Sequence, residues 1–533
     1  MFKKALAVIL SVSVLFAAFT LPANALSVSG FKDSITNSFY TIADKVIQLL
    51  VGGISSLIKD PGWQNKEDYV SEGFLEGMSE DEFEDTASDS ARWYVGYSSA
   101  SLLTGNELDG NHYVGGSLSI TKKVATAIYD DQKVRTVAMS DGRGISIFAS
   151  LDTYGLVNTD IREIRRRLAD YASENNIISI NISSLHQHSC IDTLGMNGDL
   201  LRAAFIAPIN NILGIKNKNG KNEEFMENLY VTVAQSVKDA VGDMAEGQLY
   251  FGTVDASEYI KDKRDPQVFD SNLNRLRFVP NNSEKPETWI CNGGIHCVGN
   301  GAAGTAVTGD YPYYIEKYIN EYEGANFIFI QGAECAITML SSTITPDEVI
   351  EAQFGNQRYA TLAAYGTRLG ELLCSIDNDV YVEPILNIAS KEIRLPIENN
   401  ILVFAAKCGL LSHTVLKTDS GYEIVTEISY AEFGENLAVL LAPGELAPEI
   451  PFGGADTPEN SWSGASWDYP PLNERVSGRK LVVFGITNDQ IGYILTDNNW
   501  HSILTENEEI NACGRRVGSI ITEHYLELCG RFN

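Results

Sequence analysis

The sequence predicts an α/β fold in which a mixed, largely parallel sheet is flanked by helices and long loops. Three observations support this prediction. Apolar runs typical of strands alternate with amphipathic helical segments from Ala91 onward. Residues 144–182 have the strand–helix–strand order of a parallel crossover unit. The chain has 533 residues, 44% hydrophobic and 21% charged, which is an ordinary globular composition.

The first 25 residues have the pattern of a secretory signal peptide. Lys3 and Lys4 precede an apolar core from Ala5 to Phe19, and Ala23-Asn24-Ala25 has the small-x-small pattern of a cleavage site. Because the core is short for a membrane-spanning helix, we predict a protein that is secreted or held at the cell surface. A retained membrane anchor is the alternative interpretation of this segment.

Residues 26–90 are predicted to form a separate N-terminal piece, and residues 91–533 the main domain. Ile35 to Ile58 has the apolar spacing of one or two amphipathic helices. The acidic run from Ser79 to Asp85 is interpreted as a solvated linker.

Charge and cysteine content narrow the function classes. Acidic residues outnumber basic ones by 70 to 40, a formal net charge of −30, which disfavours binding to nucleic acid or anionic lipid. The expected partner is a small-molecule or lipid substrate, with peripheral contact to a membrane surface as a further option. The eight cysteines of a secreted chain could form disulfides, but they form no CxxC pair or dense framework, so no connectivity is assigned. Cys190 and Cys297, each near a histidine, are either soft metal ligands or buried apolar residues.

The crossover unit is the clearest local prediction. Strands are expected at 145–151 and 177–182, joined by a helix that begins at Asp160 with Glu163 in the capping-box position. The remaining elements expected from the pattern are a hairpin of 273–279 with 288–291, a helix over 313–322, a strand over 326–331, a hairpin of 423–431 with 437–441, and a late strand over 481–484. Residues 451–480, rich in Gly, Ser, Trp and Pro, are predicted to form a long loop that covers a site.

Four metal-capable side chains share one context, an apolar strand followed by a turn that contains small or polar residues. They are His186, His296, Glu445 and Tyr493. Strands that run the same way deliver their ends to one edge of a sheet, where ligands bind in α/β folds. Two histidines and a carboxylate are a common catalytic zinc set. Taken singly, each residue also has a structural interpretation: a hydrogen-bonded or exposed histidine, a charge at a helix start, or a core aromatic. Cys335 is disfavoured as a nucleophile because no base can be assigned to it.

Five short segments, in this order, resemble motifs of the neutral/alkaline, non-lysosomal ceramidase family. They are His186-Gln187-His188-Ser189-Cys190-Ile191, Gly294-Ile295-His296-Cys297, Gln331-Gly332-Ala333-Glu334-Cys335-Ala336-Ile337-Thr338, Pro443-Gly444-Glu445 and Ile491-Gly492-Tyr493-Ile494-Leu495-Thr496. The resemblance spans residues 91–533 and implies a ceramidase-like catalytic domain without the family's C-terminal immunoglobulin-like domain.

The resemblance implies a function and roles for particular residues. Zinc would be held by His186, His296, Glu445 and Tyr493, and zinc-activated water would hydrolyse the amide of an N-acyl sphingosine. His188 would serve as an acid, base or oxyanion donor. Thr338 takes the position of the family's active-site serine.

The chain also departs from the family pattern. Tyr129 stands where the family has a pocket histidine, Cys190 and Ile191 replace a Gly-Pro pair, and Thr338 replaces the serine. The ligand types are kept while the pocket lining changes. The sequence therefore predicts a secreted zinc-dependent amidohydrolase, with ceramide or a related lipid as substrate. The alternatives are a zinc hydrolase of a non-lipid amide or ester, and a non-catalytic secreted binding protein on the same scaffold.

Overall fold

The computed structural model describes residues 34–116, 122–198, 219–301, 304–504 and 508–531, with scattered positions between 206 and 217. The predicted signal peptide lies outside the described residues. Within the described part of the chain, no helix combines the length and apolar character needed to cross a membrane.

The helices lie at the surfaces of two sheets. They are Ser34–Ser55 (α1), Asn158–Glu174 (α2), Glu223–Gly242 (α3), Asp310–Glu323 (α4), Glu348–Phe354 (α5), Gln357–Cys374 (α6), Asn400–Lys407 (α7), Glu449–Phe452 (α8) and Val517–Cys529 (α9).

The strands are Gln64–Asn65 (β1), Trp93–Ser101 (β2), Ala127–Ile128 (β3), Lys133–Ser140 (β4), Ile145–Leu151 (β5), Ile177–Ser184 (β6), Ala245–Asp255 (β7), Ile260–Asp262 (β8), Asn272–Pro280 (β9), Thr288–Gly293 (β10), Ala306–Val307 (β11), Asn326–Gln331 (β12), Ile337–Met339 (β13), Val380–Val382 (β14), Leu386–Pro396 (β15), Val415–Thr418 (β16), Gly421–Phe433 (β17), Leu437–Leu441 (β18), Glu445–Leu446 (β19), Lys480–Phe484 (β20) and Tyr493–Ile494 (β21).

Both large sheets are mixed. The first has the order β12-β10-β9-β7-β2-β4-β5-β6, with β14 paired to β7, and only β10–β12 and β5–β6 in it are parallel. The second has the order β1-β16-β17-β18-β20, with β15 also paired to β17. The predicted mixed α/β class is confirmed, but the sheets are not largely parallel. Hairpin connections dominate the chain, and only crossovers such as those through α2 and α4 make parallel neighbours.

The two sheets pack face to face between outer layers of helices. A central apolar cluster joins the first sheet, through residues such as Phe148 and Ile328, to the second, through Phe433 and Val482. Helices α2 and α3, and separately α4 and α6, cover the outer face of the first sheet. Helix α9 covers the outer face of the second. The αββα layering buries both sheets, which explains their long apolar runs.

The predicted local elements are largely confirmed. Strands β5 and β6 pair in parallel around α2, and the two hairpins, β9–β10 and β17–β18, are antiparallel. The start of α2 differs from the prediction. Val157 is the N-cap, and the Asp160 carboxylate accepts a hydrogen bond from its backbone N–H at 3.1 Å. Asp160 therefore takes the third helical position of the capping motif, and the helix begins earlier than predicted.

The N-terminal piece lies against the rest of the molecule. Helix α1 is a single helix that packs on α7 through Val51, Ile401 and Phe404. The acidic run has exposed side chains, but its backbone is docked: the Glu84 N–H donates to Asn387 Oδ1, and the Glu82 carbonyl accepts from Arg143. The acidic segment is therefore a surface strip along β15.

Candidate functional site

The four predicted ligands lie where the polypeptide chain leaves or enters a strand. His186 follows β6 and His296 follows β10, while Glu445 and Tyr493 are the first residues of β19 and β21. These two short strands pair in parallel with Glu445 opposite Tyr493. His186 has a φ of 55°, in the left-handed region, so the chain turns sharply as β6 ends.

Three imidazoles converge at this edge. The ring centroid of His186 lies 4.8 Å from that of His188 and 5.0 Å from that of His296. One ring nitrogen from each of the three lies within 4.8 Å of those of the others. Within the part of the chain that the structure describes, this group has the spacing to hold a metal ion.

A buried carboxylate completes the cluster. Glu445 Oε2 lies 3.0 Å from His296 Nε2 and 3.5 Å from His186 Nε2. The Nδ1 atoms of these histidines donate to backbone carbonyls instead, His186 to Tyr154 at 2.8 Å and His296 to Ile337 at 2.9 Å. These outer bonds occupy both Nδ1 atoms, so both Nε2 atoms face one point.

Further polar groups hold the carboxylate and the first ring. Gln490 Nε2 donates to Glu445 Oε1 at 2.9 Å, and the Tyr493 hydroxyl also hydrogen-bonds Glu445. The Tyr154 ring stacks on His186 with centroids 4.8 Å apart. Glu445 therefore has partners for both oxygens, and its orientation is fixed from three sides.

The electrostatics favour an anion at the centre. Burial opposes ionisation of Glu445, but His186, His296 and Tyr493 outweigh it and lower its pKa to about 2. Burial also opposes charge on His296, yet Glu334 and Glu445 raise its pKa to about 9. Burial lowers the pKa of His186 to about 4. In the protein without metal, His296 is thus the imidazole that carries the compensating proton.

His188 is placed beside the other two histidines but is bonded differently. It is half-buried, and its backbone N–H donates to the Cys297 carbonyl at 2.9 Å. Its Nε2 has no hydrogen-bond partner among the described residues. Burial and the neighbouring cations hold its pKa well below the usual range, so the ring is neutral near pH 7.

The loop between the two histidines is anchored from within. Gln187 Nε2 donates to Asp152 Oδ1 at 3.2 Å and to the Gly309 carbonyl at 2.6 Å. Asp152 in turn accepts from Arg135 at 2.9 Å, and Arg135 also donates to Glu316 at 2.7 Å. The middle residue of the His-x-His segment is thus tied to a buried ionic network.

Other predicted residues lie around the cluster or apart from it. Thr338 is half-buried on β13, next to Ile337, whose carbonyl accepts from His296. The ring of Tyr129 packs on Phe354 and Tyr359 at centroid distances of 4.5 and 4.7 Å. Thr338 therefore adjoins a ligand through its neighbour, and Tyr129 belongs to an aromatic cluster.

The cysteines lie outside the metal-capable group found among the described residues. All eight are free thiols. Cys190 donates to the Gln187 carbonyl and Cys297 accepts from Gln331, while burial raises the pKa of both thiols far above the usual range. Between the two interpretations left open by the sequence, the structure favours buried apolar residues, since the metal-capable group of the described chain holds histidines alone.

Sequence reasoning missed three residues of the site: Gln490, Tyr154 and Glu334. Glu334 is fully buried 3.8 Å from His296 Nδ1, its oxygens have no hydrogen-bond partner among the described residues, and burial raises its pKa to about 8. Its segment was singled out for Cys335, but a carboxylate in an apolar strand-end segment was itself a usable signal. Gln490 and Tyr154 had no such signal, because loop packing brings them to the site.

A cavity of about 100 Å³ adjoins the carboxylate. Glu445, Gln490 and Tyr493 form one of its walls, and its other lining residues are mostly apolar, including Leu194, Leu402 and Ile397. The cavity thus meets the cluster at Glu445, and its apolar lining suits a hydrocarbon segment.

The residues present fit a divalent metal of the zinc type. Two imidazole nitrogens and a carboxylate oxygen surround one point, with a phenol oxygen on the same carboxylate. Zinc takes nitrogen and oxygen donors of this kind in sites with four ligands. The identity of the metal and the assignment of Tyr493 as a ligand stay predictions.

Comparison with known proteins identifies solved structures that have a similar fold. No protein-family model matches the chain, and no curated protein matches it. Among solved structures, it is similar to the neutral ceramidase from Pseudomonas aeruginosa, with a TM-score of 0.58 at 15% identity over 83% of this chain and 74% of that one. It is also similar to a ceramidase complexed with C2, with a TM-score of 0.57 at 15% identity over 83% and 75% of the two chains. The ceramidase-like fold that the motifs implied is thereby confirmed.

Proposed function

We propose that this protein is a zinc-dependent hydrolase that cleaves the amide bond of an N-acyl lipid, such as an N-acyl sphingosine. One observation carries the proposal: His186 Nε2 and His296 Nε2 meet at the Glu445 carboxylate beside an apolar cavity. The ceramidase-like fold supports the same reaction class by analogy.

The metal would be held by His186, His296 and Glu445, with Tyr493 as the fourth ligand. When bound, zinc supplies Lewis acidity toward a carbonyl oxygen and acidifies water. The Tyr154 and Ile337 carbonyls keep the two imidazoles in the tautomer that binds metal.

His188 is the residue to which we assign proton movement. Its ring is neutral near pH 7, and its Nε2 is free of protein partners among the described residues. It is therefore able to accept a proton from the attacking water or to hydrogen-bond the substrate. A catalytic hydroxyl at Thr338 stays a prediction, which Thr338→Val tests through kcat.

The apolar lining of the cavity favours a lipid substrate. Next to the reacting centre it is predominantly apolar, so hydrocarbon of the acyl or base chain fits there and removes that surface from water. A peptide substrate in the same cavity would have buried amide groups without hydrogen-bond partners.

The test is metal content and lipid-amide turnover measured on the same preparations. We expect about one zinc per chain by elemental analysis, and release of fatty acid from an N-acyl sphingosine by mass spectrometry. His296→Ala should lose both. His524→Ala, which alters a partly exposed histidine on α9, is the matched control and should keep both.

Three outcomes would contradict or redirect the proposal. Absence of metal after zinc-replete purification would overturn it. Zinc binding with turnover of peptides or esters but not lipid amides would favour a zinc hydrolase of another substrate. Specific lipid binding that needs no metal would favour a binding protein.

We also propose that the first 25 residues direct the protein to secretion or to the cell surface, as their charge and apolar pattern indicate. N-terminal sequencing of the mature protein should find a start at Leu26. An intact N-terminus on membrane-bound protein would show a retained anchor instead.

A further inference from the structure

Lys123 is a buried cation without a protein partner. Its residue surface is 6% exposed, and its Nζ has no hydrogen-bond partner within the described chain. An ammonium taken out of water with no counter-charge is costly. Burial accordingly lowers the pKa of Lys123, and Cys190 and Asp192 offset that effect only in part.

The nearby carboxylate is already committed. Asp192 Oδ1 accepts from the backbone N–H groups of Leu194 and Gly195, at 3.0 and 2.8 Å, and its Oδ2 accepts from the Asn197 N–H at 2.6 Å. These bonds satisfy Asp192 through the loop that it caps. It makes no contact ion pair with Lys123 in the described structure.

Two uncharged polar side chains near Lys123 are also unpaired. Asn197 and Ser189 are fully buried, and neither the Asn197 amide nor the Ser189 hydroxyl has a partner among the described residues. The Lys123 backbone N–H donates to the Asn197 carbonyl at 3.3 Å, which places these two residues side by side. Buried polar groups are paired in the great majority of cases, so three unpaired ones on segments joined by backbone contacts are suited to a partner that the described residues do not supply.

This neighbourhood borders the histidine cluster. Val114 joins the segments, since its N–H donates to the Lys123 carbonyl at 2.7 Å and it forms a β-bridge with Ile191. The next N–H, of Gly115, donates to the Cys190 carbonyl at 2.6 Å. Ser189 directly follows His188, and the charge of Lys123 is close enough to lower the pKa of that imidazole.

We propose that Lys123, Asn197 and Ser189 form a subsite for an anionic oxygen group, a carboxylate or sulfonate, carried by the substrate. The ammonium, the amide N–H groups and the hydroxyl are donors that such a group accepts, and its charge would compensate Lys123. The inference rests on the proposed function and narrows its substrate class. The preferred substrate is then an anionic N-acyl amphiphile, because a neutral ceramide would leave the ammonium uncompensated.

The negative charge of the whole protein makes a local positive charge necessary for binding an anion. With a net charge of −30, the protein repels anions at long range. Binding of an anionic lipid therefore requires a short-range positive site, which Lys123 provides at the border of the cluster. Half-exposed Lys263 adds a second charge that acts on His188 and His296.

The test is calorimetric binding of ligands that cannot be cleaved, to the protein as purified. 4-Oxopentadecanoic acid and its neutral counterpart 4-oxopentadecanamide replace the amide nitrogen of an N-acyl glycine pair by a methylene. We expect the acid to bind at least about tenfold tighter than the amide. Lys123→Met should abolish this preference. Lys122→Met, an exposed neighbour with the same change of charge, is the control and should keep it.

A second variant covers the case in which Lys123→Met does not fold. Asn197→Asp places a carboxylate next to Lys123, and we expect it to abolish the preference while raising Tm. The sulfonate analogue of the acid separates the two anion classes: equal binding indicates a general oxyanion site, and weaker binding a carboxylate site.

Equal binding of the acid and the amide to the unaltered protein would overturn the inference and show that water alone solvates Lys123. Binding of neither ligand, or a preference that survives Lys123→Met, would overturn it as well. Turnover of N-acyl sphingosine is measured separately. A protein that hydrolyses the lipid amide but shows no preference for the anion keeps the proposed function and loses only this subsite.

Discussion

Two buried glutamates, Glu427 and Glu445, show how a closed polar cluster differs from an open one. Glu427 receives both Nη atoms of Arg165, at 2.9 and 2.6 Å, and Arg165 also donates to the Ile180 carbonyl. Glu445 instead faces two imidazole Nε2 atoms, both of which belong to the predicted metal ligands. The first cluster fastens α2 and β6 to β17. The second directs nitrogen and oxygen atoms toward one point, and this difference is what distinguishes a structural buried charge from a candidate functional one.

The closed cluster should show the larger effect on folding. Arg165→Met removes both hydrogen bonds to the buried Glu427 carboxylate and leaves only Arg162, 4.0 Å away, as a counter-charge. We therefore expect the free energy of unfolding to fall by about 3–5 kcal/mol. Denaturant titration monitored by circular dichroism measures this loss. Adding Glu427→Leu should restore much of it, and zinc content should be unchanged in the folded fraction. A loss below about 1 kcal/mol would contradict the structural role.

The open cluster should show the larger effect on metal. Glu445→Gln keeps the shape of the side chain and its position next to Gln490, but it removes the negative charge of the predicted ligand. We expect zinc affinity to fall by more than about 100-fold. Loss of a group that only hydrogen-bonds a metal ligand already lowers metal affinity by about 10–100-fold, and loss of the ligand itself should cost more. Competition with a chromophoric chelator measures the affinity, and Arg165→Met is the matched control. Retained affinity would show that Glu445 is not a ligand.

Acidity offers a way to distinguish the clusters without mutation. The pKa of His296 is raised above its unfolded value to about 9, so the stability that this proton gives the metal-free protein is fully present below about pH 6.5 and is lost as the pH rises through about 9. Zinc must displace the same proton, so its apparent affinity should rise about tenfold per pH unit between pH 7 and 9. A flat profile would mean that His296 is already neutral.

The smallest expected effect tests the outer support of the open cluster. Gln490→Leu removes the donor to Glu445 Oε1 while keeping a side chain of similar volume. We expect zinc affinity to fall by about tenfold with little change in Tm. The control is Gln235→Leu, at an exposed position of α3, which should change neither quantity. An unaltered affinity in Gln490→Leu would reduce that residue to a loop-packing role.

Most elements of the fold were predictable, and their arrangement was not. Apolar runs located β5, β6 and β12 nearly to the residue, since both faces of these strands are buried. Whether neighbouring strands run parallel or antiparallel depends on which strands, distant in sequence, pair with each other. The local sequence pattern does not contain this information. The same limit hid the docking of the acidic segment on β15, which depends on backbone pairs such as Met78 with Ile388.

For the site, the strand-end context brought forward all four residues that meet in space. Each of these residues follows or begins a strand, so sequence position and spatial edge coincide. Gln490 and Tyr154 escaped it because loops place them. The unpaired state of Lys123 was also beyond reach, since a lysine in sequence is nearly always solvated.

The bond from Gln187 to Asp152 has a mechanical consequence. Because the Arg135–Asp152–Glu316 network is buried in the first sheet and its helical cover, it acts as a fixed mount for the turn that carries His186 and His188. A side chain on a loop, such as that of His186, would otherwise lose much of its freedom on binding an ion. Here that ordering is already achieved during folding, so a cation bound at the proposed site would find His186 already in position.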